Sequence, residues 1–221
     1  MAATAPTISR PDLMRAIDRR ELSVVFQPQL TADAQSVASV EALLRWRRPD
    51  GAFVSAEGFV ELAERAGLID LLGLYVLEQA CTAARAWPRI LLAVNISPTH
   101  FAKPGFVDDV ARVLDATWFP PERLEIEIVE SAAFADPDFA RKQMDRLHAL
   151  GARVAMDDFG TGYSSLSLLQ RLPFDKVKID KSFVDGIPNT KSVAILHAII
   201  ALVRALGMKV TAEGVETVEQ Q

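Results

Sequence analysis

Six polar residues interrupt or terminate short apolar runs, and their chemical types belong together. Asn95 follows Leu92, Ala93 and Val94. Glu127 separates Ile126 from Ile128, Asp157 and Asp158 follow Val154, Ala155 and Met156, Lys178 separates Val177 from Ile179, and Glu213 follows Val210, Thr211 and Ala212. Glu41, inside the run 37–46, joins them if its side chain faces the same way. Taken singly, each carboxylate reads as a helix cap or half of a surface ion pair, because an isolated buried charge costs several kcal/mol. Gathered in one place, carboxylates without compensating arginines repel one another unless some are protonated or cations are bound. An asparagine carbonyl with carboxylates is a hard-oxygen ligand set, suited to Mg²⁺ or Mn²⁺ rather than zinc. An aspartate of the 157–158 pair shared between two ions about 3.5–4 Å apart would give the arrangement used to displace a leaving oxygen from phosphate.

Other chemistries find no support. The chain has no Walker-type phosphate loop, no G-x-G-x-x-G and no H-E-x-x-H, and His100, His148 and His197 lie far apart. Asp158-Phe159-Gly160 matches the kinase D-F-G, but the glycine-rich loop and H-R-D that a kinase needs are absent. A single cysteine, Cys81, excludes an intrachain disulfide and a cysteine-based zinc site. The segment 160–165, Gly-Thr-Gly-Tyr-Ser-Ser, follows the aspartate pair directly and reads as a loop whose N–H groups could meet phosphate.

Such residues need elements that bring them together. Strand-length apolar runs at 23–27, 37–46, 90–95, 124–129, 153–156, 176–179 and 209–212 alternate with helical stripes. Leu74, Leu77, Cys81 and Ala84 form one stripe, Ala140, Met144 and Leu147 another, and Val193, Leu196, Ile200 and Val203 a third. Asp136-Pro137 reads as a helix start, and Gly151 and Gly207 as helix stops. Alternation of this kind builds βα units around a parallel sheet. A doubly wound sheet also fits the pattern, but the strand count and the polar strand ends favour a barrel, in which all carboxyl ends of strands converge on one face. The chain has 221 residues, half of them apolar and 24% charged, with a mean hydropathy of +0.15, so a well-filled globule is expected. No linker-like stretch divides it. Its net charge of −5 argues against binding a nucleic-acid polymer through a basic surface. Without a run of about 18 apolar residues or a signal-peptide core, neither membrane insertion nor export is expected, and the expected location is cytoplasmic.

The residues also resemble a known family. Glu41-Ala42-Leu43, followed by Leu44-Arg45-Trp46, looks like the motif of the EAL domain, the bacterial phosphodiesterase of cyclic di-GMP. The blocks F-Q-P at 26–28, V-N-I-S at 94–97, E-I-V-E at 127–130, D-D-F-G-T-G-Y-S-S-L at 157–166, V-K-I-D at 177–180 and A-E-G-V-E at 212–216 follow in order. The resemblance runs from residue 10 to residue 221, leaving 1–9 as an N-terminal tail.

The resemblance implies an α/β fold, a modified (β/α)₈ TIM-like barrel with one antiparallel strand, and hydrolysis of cyclic di-GMP to linear pGpG with two Mg²⁺ or Mn²⁺ ions. It implies that Glu41, Asn95, Glu127 and Asp157 hold one ion, and Asp157, Asp158 and Glu213 the other. Lys178 matches a lysine that contacts the attacking water; with Glu213 and Glu130 it makes up the expected catalytic group, Glu130 shaping the loop after the aspartates. Gln27 and Arg45 match substrate contacts, Arg45 reaching a phosphate oxygen, and Asp180 and Glu216 match acidic residues beside the site. Family members commonly form homodimers and often adjoin sensory or diguanylate-cyclase domains in longer chains.

Two positions depart from the family pattern. Val129 stands where threonine is usual, and a final strand carrying Q-G-Y is missing after 209–212, so an open seam is expected where the barrel would close. A rival reading, a catalytically weak or inactive EAL domain acting as a cyclic di-GMP receptor, is disfavoured because each expected ion ligand is retained. A glycosidase fits poorly, since aromatic sugar platforms would be needed and aromatics are 7% of the chain.

Overall fold

The structure, a computed structural model, describes residues 9–19, 21–49, 51–131, 136–160 and 166–220. Segment 161–165, the greater part of the expected phosphate-facing loop, lies outside the described residues, as do residues 1–8 of the expected tail. Helix α1 (Arg10–Asp18) starts where the Ser9 N–H donates to the Asp12 carboxylate at 3.0 Å. It leads into strands β1 (Leu22–Leu30), β2 (Val37–Arg47) and the short β3 (Phe53–Val54), then helices α2 (Ala56–Arg65) and α3 (Ile69–Ala84). The chain continues through β4 (Leu91–Ile96), α4 (Pro98–Phe101), α5 (Phe106–Thr117), β5 (Leu124–Val129), α6 (Pro137–Leu150) and β6 (Arg153–Phe159). It ends with α7 (Leu166–Arg171), β7 (Lys176–Ile179), α8 (Thr190–Ala205) and β8 (Lys209–Ala212).

The strands form one sheet in the order β1-β2-β4-β5-β6-β7-β8, with β3 attached to β2. β1 runs antiparallel to β2, and every later pair along that order is parallel, as expected for the modified barrel. The sheet curls, because Lys178 on β7 reaches Glu41 on β2 at 3.1 Å across three intervening strands. β1 and β8 do not pair with each other among the described residues, so the curl remains open at this seam.

Period-2 alternation decides what fills each side of the sheet. Leu92, Val94, Leu124, Ile126, Ile128, Val154, Met156 and Val177 pack outward into one buried cluster with Leu77, Val110, Leu114, Met144 and Leu147 of α3, α5 and α6. Truncating such a residue, Ile126 for example, leaves a cavity that costs about 2–5 kcal/mol. The helix punctuation expected from sequence is present. Asp136 accepts from the Phe139 N–H at 3.0 Å, and Gly151 closes α6 with φ +99°. The inward positions are occupied differently from the branched apolar layers usual in such barrels. Ser39, Glu125, Glu127, Asp157, Lys176 and Lys178 are all buried.

The largest differences from the sequence reading are at three strands. β1, expected at 23–27, runs from Leu22 to Leu30. β3 is too short to leave a periodic signal. β6, expected to stop at Met156, continues through both aspartates to Phe159, because a bulge replaces a strand end there. Among the described residues no helix is long and apolar enough to cross a membrane.

Candidate metal centre at the barrel mouth

The strands deliver their polar residues to one end of the curl. Asn95 on β4 is in register with Glu127 on β5, and Gln27 on β1 lies opposite Glu41 on β2. On β6 a simple alternation would send Asp157 and Asp158 to opposite faces. The register with β7 slips instead, from Met156 opposite Val177 to Phe159 opposite Ile179, leaving one extra residue on β6. Such a bulge re-aims side chains. Asp158 takes a left-handed backbone (φ +54°), and one oxygen each from Asp157, Asp158 and Glu213 fall within 4.8 Å of one another. Gly160 follows with φ +100°, and a Cβ there would run into the Phe183 ring. Gly160→Ala is therefore expected to destabilise the fold by about 1–3 kcal/mol, read by urea denaturation; an unchanged midpoint would contradict this packing.

Lys178 is the hub of the cluster. Its side chain is 1% exposed, and its Nζ lies 3.1 Å from Glu41 Oε2, 2.9 Å from Glu127 Oε2, 3.0 Å from Asp157 Oδ1 and 2.9 Å from Glu213 Oε1. Burial opposes its charge, but Glu127, Asp157, Glu41 and Glu213 outweigh that and raise its pKa. One ammonium cannot offset four carboxylates. Burial, resisted by Lys178 and reinforced by Glu41 and Asp157, pushes the fully buried Glu127 carboxyl up to about 8. Burial likewise raises Asp158, with Asp157 and Asp180 adding to the effect, and raises Glu213 against the pull of Lys178.

The sign of the resulting pH dependence follows. A carboxyl whose pKa is higher folded than unfolded stabilises the fold while protonated, and that contribution is lost as pH rises from about 4.5 toward about 8. The metal-free protein is expected to lose a few kcal/mol of stability between pH 5 and pH 8.5, measured by denaturant titration. Glu127→Gln should flatten the profile, and an equal slope in that variant would contradict the assignment.

The donor chemistry fits hard cations. Glu127 Oε1 is buried and has no hydrogen-bond partner among the described residues. Asn95 donates Nδ2 to Glu41 Oε1 at 2.7 Å, which leaves its carbonyl oxygen available as a ligand. With the three oxygens of Asp157, Asp158 and Glu213, these groups could hold Mg²⁺- or Mn²⁺-type ions.

The remaining residues singled out from sequence lie at graded distances from this cluster. Asp180 caps a short turn by accepting from the Ser182 N–H at 3.0 Å; the Ser182 side chain, with that N–H, holds its carboxyl below the usual range, and it is near enough to Asp158 to raise it. Arg45 shares the inward face of β2 with Glu41, four residues on, and its Nη1 donates to the Leu44 carbonyl at 3.0 Å. Gln27 is exposed, Glu130 is buried just past β5, and Glu216 is exposed beyond the Gly214 turn, its N–H bonded to Gln220. Four participants were missed from sequence: Gln29, Ser39, Glu125 and Lys176 lie under the cluster. Their signal was nonetheless present, because Glu125 precedes Glu127, Lys176 precedes Lys178, Ser39 precedes Glu41 and Gln29 follows Gln27 by two residues each, the spacing of one strand face.

Comparison with known proteins places this architecture. The EAL domain family model matches residues 10–221. An uncharacterized signaling protein of Caulobacter vibrioides is 48% identical over 95% of this chain and 26% of its own length. MucR of Pseudomonas aeruginosa, a bifunctional diguanylate cyclase and cyclic di-GMP phosphodiesterase, is 41% identical over 95% of this chain and 32% of its length. The chain thus spans about a quarter to a third of these relatives. The solved structure of the PaMucR phosphodiesterase in a c-di-GMP complex superposes with a TM-score of 0.89 at 40% identity, covering 95% of this chain and 87% of that one. The chain belongs to the EAL domain family.

Proposed function

We propose that the chain hydrolyses cyclic di-GMP to linear pGpG, assisted by two Mg²⁺ or Mn²⁺ ions at the barrel mouth. The observation that carries this reading is the convergence of Glu41, Asn95, Glu127, Asp157, Asp158 and Glu213 around Lys178, within a chain of this family. Glu41, Asn95, Glu127 and Asp157 would hold one ion, and Asp157, Asp158 and Glu213 the other. Bound there, the ions would supply positive charge to the phosphodiester and make water more acidic. Carboxylates alone would repel a dianionic substrate, so they must be neutralised before it can approach.

The chain's own groups then divide the work. The buried Lys178 ammonium orients the attacking water and balances charge at the reacting phosphate. Glu213, half-buried and 2.9 Å from the Lys178 ammonium, takes the proton the water gives up. Arg45 swings from the Leu44 carbonyl to a phosphate oxygen, where a guanidinium stabilises the charge that develops as the new P–O bond forms and the old one breaks. Gln27, Asp180 and Glu216 line the approach of the dinucleotide, and Glu130 supports the loop that follows the aspartates. Opening one of the two diester linkages gives pGpG. A homodimer, and sensory or diguanylate-cyclase domains in a longer parent chain, are the expected partners. Asp157→Asn, which alters the residue shared by both ion sites, is expected to slow consumption of cyclic di-GMP more than about 10²-fold by chromatographic time course. Undiminished consumption in a folded variant would overturn the reading.

A further inference from the structure

We infer that a second polar tier beneath the mouth positions Glu41 for cation binding, with Gln29 as the positioning residue. This rests on the metal-dependent reading of the mouth. Gln29 on β1 reaches Glu41 Oε2 through its Nε2 at 3.4 Å. At its other end, Oε1 accepts from Ser39 Oγ at 2.6 Å and from Lys176 Nζ at 3.2 Å. Lys176 in turn is ion-paired to Glu125. Ser39, Glu125 and Lys176 are all buried, and none belongs to the mouth cluster.

The amide can face only one way in this setting. An ammonium is a donor with no acceptor capacity, so the end of Gln29 that meets Lys176 must be its carbonyl. The end that meets the Glu41 carboxylate must then be its NH₂. Lys176 therefore acts on Glu41 at one remove, by fixing the Gln29 amide. Asn95 holds the other Glu41 oxygen at 2.7 Å, so the carboxylate is gripped from two sides before a cation arrives. Partners of this kind orient ligands and tune metal affinity. A buried Lys–Glu pair is weak evidence for stability, because desolvating two charges offsets much of their attraction. A positional role gives the pair a reason to sit directly below Glu127 and Lys178 on the same strands.

The test is Mn²⁺ affinity, measured by electron paramagnetic resonance on the folded chain without substrate, in three proteins. Gln29→Leu removes the donor to Glu41 and is expected to weaken Mn²⁺ binding about tenfold. The double variant Lys176→Met/Glu125→Leu removes the ion pair without stranding a buried charge, so it answers the question even if Gln29→Leu does not fold. It should weaken binding severalfold. In steady-state assays at saturating Mn²⁺ both variants should recover turnover, a response that a purely structural lesion would not give. Wild-type Mn²⁺ affinity in both variants, with only their melting temperatures lowered, would overturn the proposal while leaving the mouth reading intact. A wild-type chain that binds no Mn²⁺ would overturn the mouth reading, and this inference with it.

Discussion

Glu41→Ala is expected to reduce hydrolysis of cyclic di-GMP on the order of 10³-fold or more, the size of effect associated with losing a preorganised electrostatic group at a reacting phosphate. Glu41 meets Asn95, Gln29 and Lys178 at once. Its removal therefore deletes a proposed cation ligand and frees the Asn95 amide to rotate. The fold should survive, because Glu41 is only half-buried and the outward face of β2 packs independently through Ala42 and Trp46. Turnover at the wild-type rate in the presence of Mn²⁺, with a wild-type circular dichroism spectrum, would contradict the role given to Glu41.

Lys178→Met separates two consequences of the same contacts. The ammonium lies about 3 Å from four carboxylates, and removing one partner of a buried charged group typically costs about 3–5 kcal/mol. The metal-free variant should therefore unfold at a markedly lower temperature than the wild type. Mn²⁺ should then restore more stability to the variant than it adds to the wild type, because the cation replaces the missing positive charge among the same oxygens. Hydrolysis should stay low even in the restored protein, since the group proposed to orient the attacking water is gone. A variant that Mn²⁺ fails to rescue, or one that turns over normally, would contradict the placement of Lys178 at the centre of the cluster.

Much of this site was legible because strands alternate. Asn95, Glu127 and Lys178 stand out as polar residues inside apolar runs, and such residues can be tolerated there only if they face one another. Asp157, Asp158 and Glu213 stand out as charges that terminate such runs, and resemblance to the family motif singled out the same residues, with Glu41, as candidate ligands. What stayed hidden depended on three-dimensional detail. That Asp157 and Asp158 both reach the mouth requires a bulge and a left-handed backbone at Asp158, and neither leaves a periodic trace. The lower tier was overlooked for a different reason. Glu125 and Lys176 sit near the beginnings of their strands, where a charge reads as ordinary solvent exposure. Only the curl of the sheet, which brings β7 across to β1, turns them into an interior pair beneath Glu41. The open seam between β1 and β8 was expected from the absence of a further strand motif, and the described sheet has that form.

The measurement that bears most directly on the whole account is incubation of the chain with cyclic di-GMP and Mn²⁺, in parallel with a sample stripped by chelator, the nucleotides being resolved by chromatography. Formation of pGpG is expected in the first sample, none in the second, and recovery of pGpG when Mn²⁺ is added back in excess. Cleavage that survives chelation would contradict metal assistance, and binding of cyclic di-GMP without cleavage in any sample would make the chain a receptor rather than a hydrolase.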